Sequence, residues 1–418
     1  MKTVLCVFGT RPEAVKMAPV ILALRARAED FRCRVVVTAQ HRQMLDQVLD
    51  LFGIQSDHDL NVMQDDQTLA DITVRCLTRL EPVLREEKPD LVLVHGDTTT
   101  TLAATLAAFY QKMPVGHVEA GLRSHDFMNP FPEEANRRLT DALSALHFAP
   151  TGLARQKLLN ENLPAERIFV TGNSGIDALK MAVERIERGC FTPSHSLQAL
   201  AETPFVLITA HRRENFGQPL ENVCDAIRRL AGERRHLNFI YPVHLNPHVL
   251  EPVHRILGPC SNVHLLKPRD YGDLVFLMQR SVLVLTDSGG IQEEAPSLGK
   301  PVLVLRKVTE RPEAVKTGTV RVVGTDSDQV YLWTRRLLDD PTVYAQMAKA
   351  VNPYGDGQAA RRTVEAIRYY FKLRPTRPEE FQADSGRPAR ERGSPGRQDA
   401  ETNERAALFS PVPPAVRA

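Results

Sequence analysis

Thr3-Val4-Leu5-Cys6-Val7-Phe8-Gly9-Thr10-Arg11-Pro12-Glu13-Ala14-Val15-Lys16 runs from an uninterrupted apolar stretch through a turn into a helix start. Apolar residues on both faces of a strand mark a parallel sheet covered on both sides. Pro12 suits the first turn of a helix, where its missing N–H costs nothing. A helix start there would aim free N–H groups and the positive dipole end at a phosphate. Arg-Pro-Glu-Ala-Val-Lys recurs at Arg311 to Lys316, again after an apolar run. The repeat suggests two strand ends, far apart in sequence, each delivering an arginine to one anion. The alternative is an accidental repeat of a helix-start device.

Working outward, strand candidates at Val4 to Phe8, Arg34 to Thr38, Leu91 to His95, Pro114 to Glu119 and Ile168 to Thr171 alternate with helical patterns such as His41 to Phe52, Leu69 to Glu86 and Thr99 to Tyr110. After a polar patch around Gly189 to Ala199 the series restarts, with Phe205 to Ala210, Asn238 to Val243, Val263 to Leu266, Val282 to Thr286 and Val302 to Leu305. Strands alternating with helices predict an α/β protein of two Rossmann-like, doubly wound domains with a cleft between them. The expected divisions are residues 1–172, residues 173–356, and a C-terminal helix over 357–373 that packs back on the first domain. Residues 374–418, rich in Arg, Pro, Gly, Glu and Ser, are expected to be disordered, because they cannot bury enough apolar surface to offset their ordering entropy. Truncation after Leu373 is therefore expected to leave stability nearly unchanged.

A chain of 418 residues with a formal net charge of only +2 has room for two cores and no field with which to gather nucleic acid or anionic membrane. No stretch approaches the roughly 20 apolar residues of a membrane helix. The first residues enter a strand at once and lack the apolar core of a signal peptide. Six cysteines without C-x-x-C spacing read as reduced thiols. A cytoplasmic protein is expected.

The chemistry-bearing residues gather where strands end. Asp97, in His95-Gly96-Asp97-Thr98, and Glu119, in Gly116-His117-Val118-Glu119-Ala120-Gly121, put carboxylates at the carboxyl edge of the first sheet. Capping is the alternative for the former. Pro130-Phe131-Pro132-Glu133-Glu134 brings two acids to a helix start, where acids are stabilising in any case. In the second half His211-Arg212-Arg213 leaves a strand as an anion grip, with surface charge as the competing explanation. Asp287-Ser288-Gly289-Gly290 permits backbone approach to a diphosphate, with Glu294 one turn on to take ribose hydroxyls; a glycine turn that only packs helix on sheet is the alternative. No G-x-G-x-x-G or G-x-x-x-x-G-K-[ST] motif is present, which argues against NAD and ATP. No H-E-x-x-H or D-x-D spacing calls for a metal. No cofactor is expected.

Phe8 to Pro19, His95 to Ala104, Gly116 to Arg123, Pro130 to Arg137, His211 to Glu214, Tyr241 to Pro247, Asp287 to Pro301, Thr309 to Lys316 and Asn352 to Gly357 together resemble the non-hydrolysing UDP-N-acetylglucosamine 2-epimerases, over about residues 2 to 372. The resemblance implies a glycosyltransferase-B-like fold, a homodimer, and interconversion of UDP-N-acetylglucosamine and UDP-N-acetylmannosamine through bound 2-acetamidoglucal, supplying activated N-acetylmannosamine for surface polysaccharide. It implies that Asp97, Glu119, Glu133 and His211 serve catalysis, leaving open which acid faces which side of C2. Arg11, His211, Ser288, Gly289, Gly290 and Arg311 would hold the diphosphate, with Lys16 supporting the pocket and Glu294 on the ribose. Arg269 and Leu274 stand where at least some members of the family have a glutamine and an aromatic beside the uracil. Gln43, Gln47, Arg75, Glu134, Arg212 and His244 resemble the lining of a second, activating UDP-N-acetylglucosamine site. A hydrolysing epimerase, a glycosyltransferase of the same fold and a non-catalytic UDP-sugar sensor are the alternatives.

Overall fold

In the computed structural model, which describes residues 1–38, 42–64, 66–309 and 311–383, the apolar runs form two parallel sheets with helices on both faces. The first has seven strands, β1 (Lys2–Phe8), β2 (Phe31–Val37), β3 (His58–Asp59), β4 (Leu91–His95), β5 (Val115–Val118), β6 (Leu146–Ala149) and β7 (Ile168–Val170), in the order β3-β2-β1-β4-β5-β6-β7. The second has six, β8 (Phe205–Thr209), β9 (Asn238–Pro242), β10 (Val263–Leu266), β11 (Leu283–Thr286), β12 (Val302–Val304) and β13 (Val320–Val322), in the order β10-β9-β8-β11-β12-β13. Both are doubly wound, and the strand order reverses beside β1 in one and β8 in the other. Crevices at such reversals, outside the carboxyl ends, are where ligands of open α/β sheets bind.

Register decides what meets there. His95 pairs with Val118, so the turn carrying Asp97 lies beside the one carrying Glu119. Thr209 pairs with Thr286, which sets His211 beside Asp287. Three strands have no counterpart in the sequence reading. β3 is two residues long, β6 is the four-residue Leu-His-Phe-Ala, and β13 carries an exposed arginine, so none shows a sustained apolar run.

Helix Arg11–Arg25 packs against helices Ser174–Glu187 and Ala359–Tyr370. Phe8, Met17, Ile21, Leu179, Val364 and Ile367 share one buried cluster there. Its N-terminus corrects the expectation of free N–H groups. Glu13, fully buried, accepts from the N–H groups of Thr10 (2.7 Å) and Gly9 (3.1 Å) and from the Thr98 (2.8 Å) and Thr101 (3.1 Å) hydroxyls, while Thr10 caps Glu13 in return. The chain thus supplies its own anion at this helix start, as a capping box does.

Residues 374–383, expected to be disordered, are a second correction. The Arg377 guanidinium donates to the carbonyls of Glu166 (3.1 Å) and Ile168 and lies over the Phe169 ring. The Phe381 N–H donates to Val170 at 2.8 Å, and its ring packs over Gly172, whose φ of +88° leaves no room for strain-free replacement. With Arg374 Nη1 also 2.7 Å from Glu365 Oε2, these contacts dock a strap on the edge strand β7, although the segment shows no apolar period. The remainder of the expected tail, 384–418, lies outside the described residues.

Candidate active site

The carboxyl ends of the two sheets bring a four-charge cluster together. Lys16, two turns into its helix, pairs with Glu119 and lies 3.8 Å from Glu293 Oε2; Arg311 pairs with Glu293. Glu119 sits just past β5 with φ +67°, a left-handed conformation uncommon for a non-glycine residue and frequent at functional sites. Burial would raise its carboxyl, but Lys16, His95 and Arg311 pull it down to about 2. Burial likewise opposes the charge on Lys16 and Arg311, yet their carboxylate partners hold both above their ordinary values.

Asp97 stands differently. Burial, with Glu119 and Glu133 adding repulsion, pushes its carboxyl up to about 6 against the pull of Arg137, whose Nη1 is 3.1 Å away. Asn136 fixes the turn by donating to the Asp97 carbonyl at 2.8 Å. Glu133 opens helix Glu133–Leu143, and its buried Oε2 has no hydrogen-bond partner. One carboxyl stays ionised at any physiological pH while its neighbour titrates near neutrality. Such separation of paired acids by environment is how a site obtains a fixed charge and a proton carrier from like groups.

Across the cleft Ser288-Gly289-Gly290 follows β11. A Cβ built on Gly289 would lie 3.5 Å from Arg311 Nη2 and 3.6 Å from Arg212 Nη2, so two guanidiniums converge over a side chain of minimal bulk. Asp287 braces this wall by accepting from the N–H groups of His211 and Arg212, both at 2.8 Å. His211 stacks on His244 with ring centroids 5.6 Å apart, and burial lowers its imidazole, as do His244, Arg212 and Arg11 against the pull of Asp287. Glu294 is buried and raised to about 8 by that burial and by Glu293, with Lys16, Tyr271 and Arg11 opposing. Arg11, at the first helical position, is lowered by burial against the attraction of Glu294 and Asp270. Arg212 and Arg311 are thus the guanidiniums nearest Gly289, and Arg11 lies close enough to act on both Glu294 and His211.

Arg269 lies 3.8 Å from Asp273, and Leu274 packs partly into the core. Of the six residues assigned to a second sugar site, Arg212 and His244 belong to the wall just described. Arg75 donates to Val62 O and Gln67 Oε1, both at 2.8 Å. Glu134 is buried and accepts from the N–H groups of Ser124 (2.9 Å) and His125 (3.2 Å), with Arg137 beside it at 3.3 Å. Gln47 is exposed on helix Arg42–Phe52, and the Gln43 side chain lies outside the described residues.

Two residues were missed in the sequence. Glu293 joins both cations and also accepts from Asn173 Nδ2 at 2.7 Å; its only signal was adjacency to Glu294. His95 is buried, with Nε2 3.9 Å from Glu119, neither ring nitrogen hydrogen-bonded, and burial lowering it to about 3. It stood in the His-Gly-Asp motif, but a histidine ending an apolar strand is no signal by itself. Among the described residues no cluster of three or more His, Cys, Asp or Glu side chains is placed to hold a metal ion.

The family described as UDP-N-acetylglucosamine 2-epimerase matches residues 23–368. The UDP-N-acetylglucosamine 2-epimerase of Salmonella typhimurium is 57% identical over 376 residues, covering 88% of this chain and 98% of that protein. That of Bacillus subtilis is 53% identical over 378 residues, 90% of this chain and 98% of the relative. Among solved structures, UDP-GlcNAc 2-epimerase from Neisseria meningitidis bound to UDP-GlcNAc superposes with a TM-score of 0.79 at 50% identity, covering 87% of this chain and 99% of that one. S. aureus MnaA in a co-structure with UDP gives 0.82 at 50% identity, covering 91% and 100%. With a glycosyltransferase-B-like pair of sheets, paired acids at one wall and paired arginines at the other, the chain belongs to the UDP-N-acetylglucosamine 2-epimerase family.

Proposed function

We propose that this protein interconverts UDP-N-acetylglucosamine and UDP-N-acetylmannosamine without releasing free sugar. The C2 proton is not beside a carbonyl, so its removal must be coupled to loss of the C1–O bond. In this reading UDP leaves C1 as C2–H is deprotonated, giving bound 2-acetamidoglucal. A proton then reaches C2 from the other face while a UDP oxygen adds back to C1. Arg311, Arg212 and the Ser288-Gly289-Gly290 turn take the charge that develops on the leaving diphosphate, as preorganised donors do. Arg11, His211 and Lys16 support that wall and Glu294 takes the ribose. Glu119, always ionised, stabilises positive charge at C1; Asp97 and Glu133 move protons, Asp97 as a group that titrates near the working pH. Arg269 and Leu274 border the base.

The observation that carries this reading is the contrast between Glu119, held near 2, and Asp97, raised to about 6, in adjacent turns opposite two guanidiniums. A sensor or a glycosyltransferase needs the cationic wall but not the split acids. The reading includes a homodimer, supported by exposed Leu69, Val74, Phe109 and Tyr110 on two helices packed together, and a cytoplasmic location; no described helix is long and apolar enough to cross a membrane. Proton NMR of UDP-N-acetylglucosamine with the protein in heavy water tests it. Deuterium at C2 and the appearance of UDP-N-acetylmannosamine are expected; stoichiometric free N-acetylmannosamine and UDP would establish the hydrolysing reaction instead.

A further inference from the structure

His117, on β5 two residues before Glu119, is fully buried, with Nδ1 2.6 Å from Asp141 Oδ1 and Nε2 2.7 Å from the Gly96 carbonyl oxygen. A carbonyl only accepts. Asp141 is an acceptor too: its Oδ2 takes the Arg123 guanidinium at 2.6 Å and the Gly121 N–H at 3.3 Å, as an ionised carboxylate does. A neutral imidazole has one donor and would turn a lone pair against one of these oxygens. Both nitrogens must therefore donate, which makes the ring an imidazolium.

Both carboxylates near it are tied to arginines as well. Asp141 Oδ2 also accepts from Arg123 Nη2 at 2.6 Å, and Arg123 forks onto Glu161 at 2.7 and 2.8 Å. His147 Nε2 donates to the Asp141 carbonyl at 2.9 Å, and His95 is the other titratable side chain whose charge His117 disfavours. Arg138 Nε lies 3.6 Å from Glu161 Oε1, so His117, Arg123 and Arg138 face the two carboxylates Asp141 and Glu161.

What the network holds is the frame of the candidate site. Gly96, with φ +69°, precedes Asp97 in its turn. Gly121, with φ +86°, ends the turn that begins at Glu119, and its N–H donates to Asp141 Oδ2 at 3.3 Å. One end of the His117–Asp141 pair grips the first turn and the other end grips the second. A histidine serving only as core filler needs a single partner and would not join two strained turns, each one or two residues from an acid.

We propose that His117 is a positioning residue: as an imidazolium held by Asp141, it fixes the Gly96–Asp97 turn against the Glu119–Gly121 turn and so sets the separation of the two reacting carboxyls. This rests on the epimerase reading above. Displacing a reacting group by about 1 Å costs roughly 100-fold in rate, and that is the loss of kcat expected for His117→Gln, with the dissociation constant for UDP within about threefold of the parent because the nucleotide wall is untouched.

Glu161→Gln is the control, since it loosens the outer end of the same network without touching either turn; its kcat is expected within about twofold of the parent even if its melting temperature falls as far. Losses of kcat that track melting temperature equally in both variants would overturn the proposal. A second measurement needs no variant to fold. Ring nitrogen NMR of the intact protein is expected to show one buried histidine with both nitrogens protonated, and a neutral ring at every buried histidine would overturn it. If the protein shows no epimerase activity, the function reading fails while the nitrogen spectrum still reports whether the imidazolium exists.

Discussion

Replacing Lys16 by methionine keeps most of the buried stem and removes one charge from the cluster that joins the two sheets. Glu119 falls from an ordinary 4.5 to about 2 in the folded protein, a difference worth roughly 3 kcal/mol and shared among Lys16, His95 and Arg311. Breaking a buried ion pair from one side costs about 3–5 kcal/mol. The second figure is the one that applies to removing Lys16 alone, so the variant is expected to lose roughly 3 kcal/mol at pH 8.

The pH dependence follows from the direction of each shift. In the parent, a depressed carboxyl contributes stability that is present above pH 4.5 and lost only as pH falls toward about 2, so its contribution is constant between pH 5 and 8. In the variant, burial acts on Glu119 with only His95 and Arg311 left to favour its charge, and its folded pKa is expected to rise above the unfolded value. Such a group contributes stability at low pH that is lost as pH rises through its folded pKa. The gap between variant and parent should therefore shrink on going from pH 8 to pH 5. Urea denaturation of both proteins at the two pH values measures it. A gap below about 1 kcal/mol at pH 8, or one that does not narrow at pH 5, would refute the argument that Lys16 is what holds Glu119 ionised.

Three further outcomes are expected. With Asp97 near 6, kcat/KM should change slope near pH 6, and Arg137→Met should move that limb upward because the charge lowering Asp97 is gone; a limb that stays put separates Asp97 from it. Gly289→Ala places a methyl in ordinary contact with Arg311 and Arg212, so calorimetry should show UDP affinity falling by roughly tenfold with the melting temperature unchanged, and unaltered affinity would remove the diphosphate from that turn. Truncation after Leu373 should be less stable than truncation after Ala383 by about 2 kcal/mol, the worth of burying an aromatic side chain such as Phe381, and equal melting would show that the strap contributes nothing.

Much of the fold was legible because burial on both faces leaves its mark residue by residue. Runs such as Val4 to Phe8 and Leu91 to His95 have no polar alternation, and the helices between them keep an apolar stripe, so the strands came out within three residues of their observed ends. β3, β6 and β13 were invisible for the converse reason: a strand of two to four residues takes its place from neighbours already paired. The strap at 374–383 was misread because it docks through scattered residues, Arg374, Arg377, Pro378 and Phe381, whose spacing creates no period.

For the site, the sequence by itself determined the inventory. It placed Asp97, Glu119, His211, Ser288 and Arg311 where strands stop, because a polar residue ending an apolar run has left the sheet. Tertiary structure alone decided their states and partners. Glu119 and Asp97 are both carboxylates at strand ends, yet one is paired with Lys16 and held near 2 while the other, short of compensating charge, rises to about 6. The two copies of Arg-Pro-Glu-Ala-Val-Lys are identical as text, but Glu13 is consumed in capping its own helix whereas Glu313 accepts from Thr151 at 3.4 Å and Tyr354 at 3.3 Å. Charge states depend on distances of a few ångströms between residues hundreds of positions apart, and only the folded chain sets those distances.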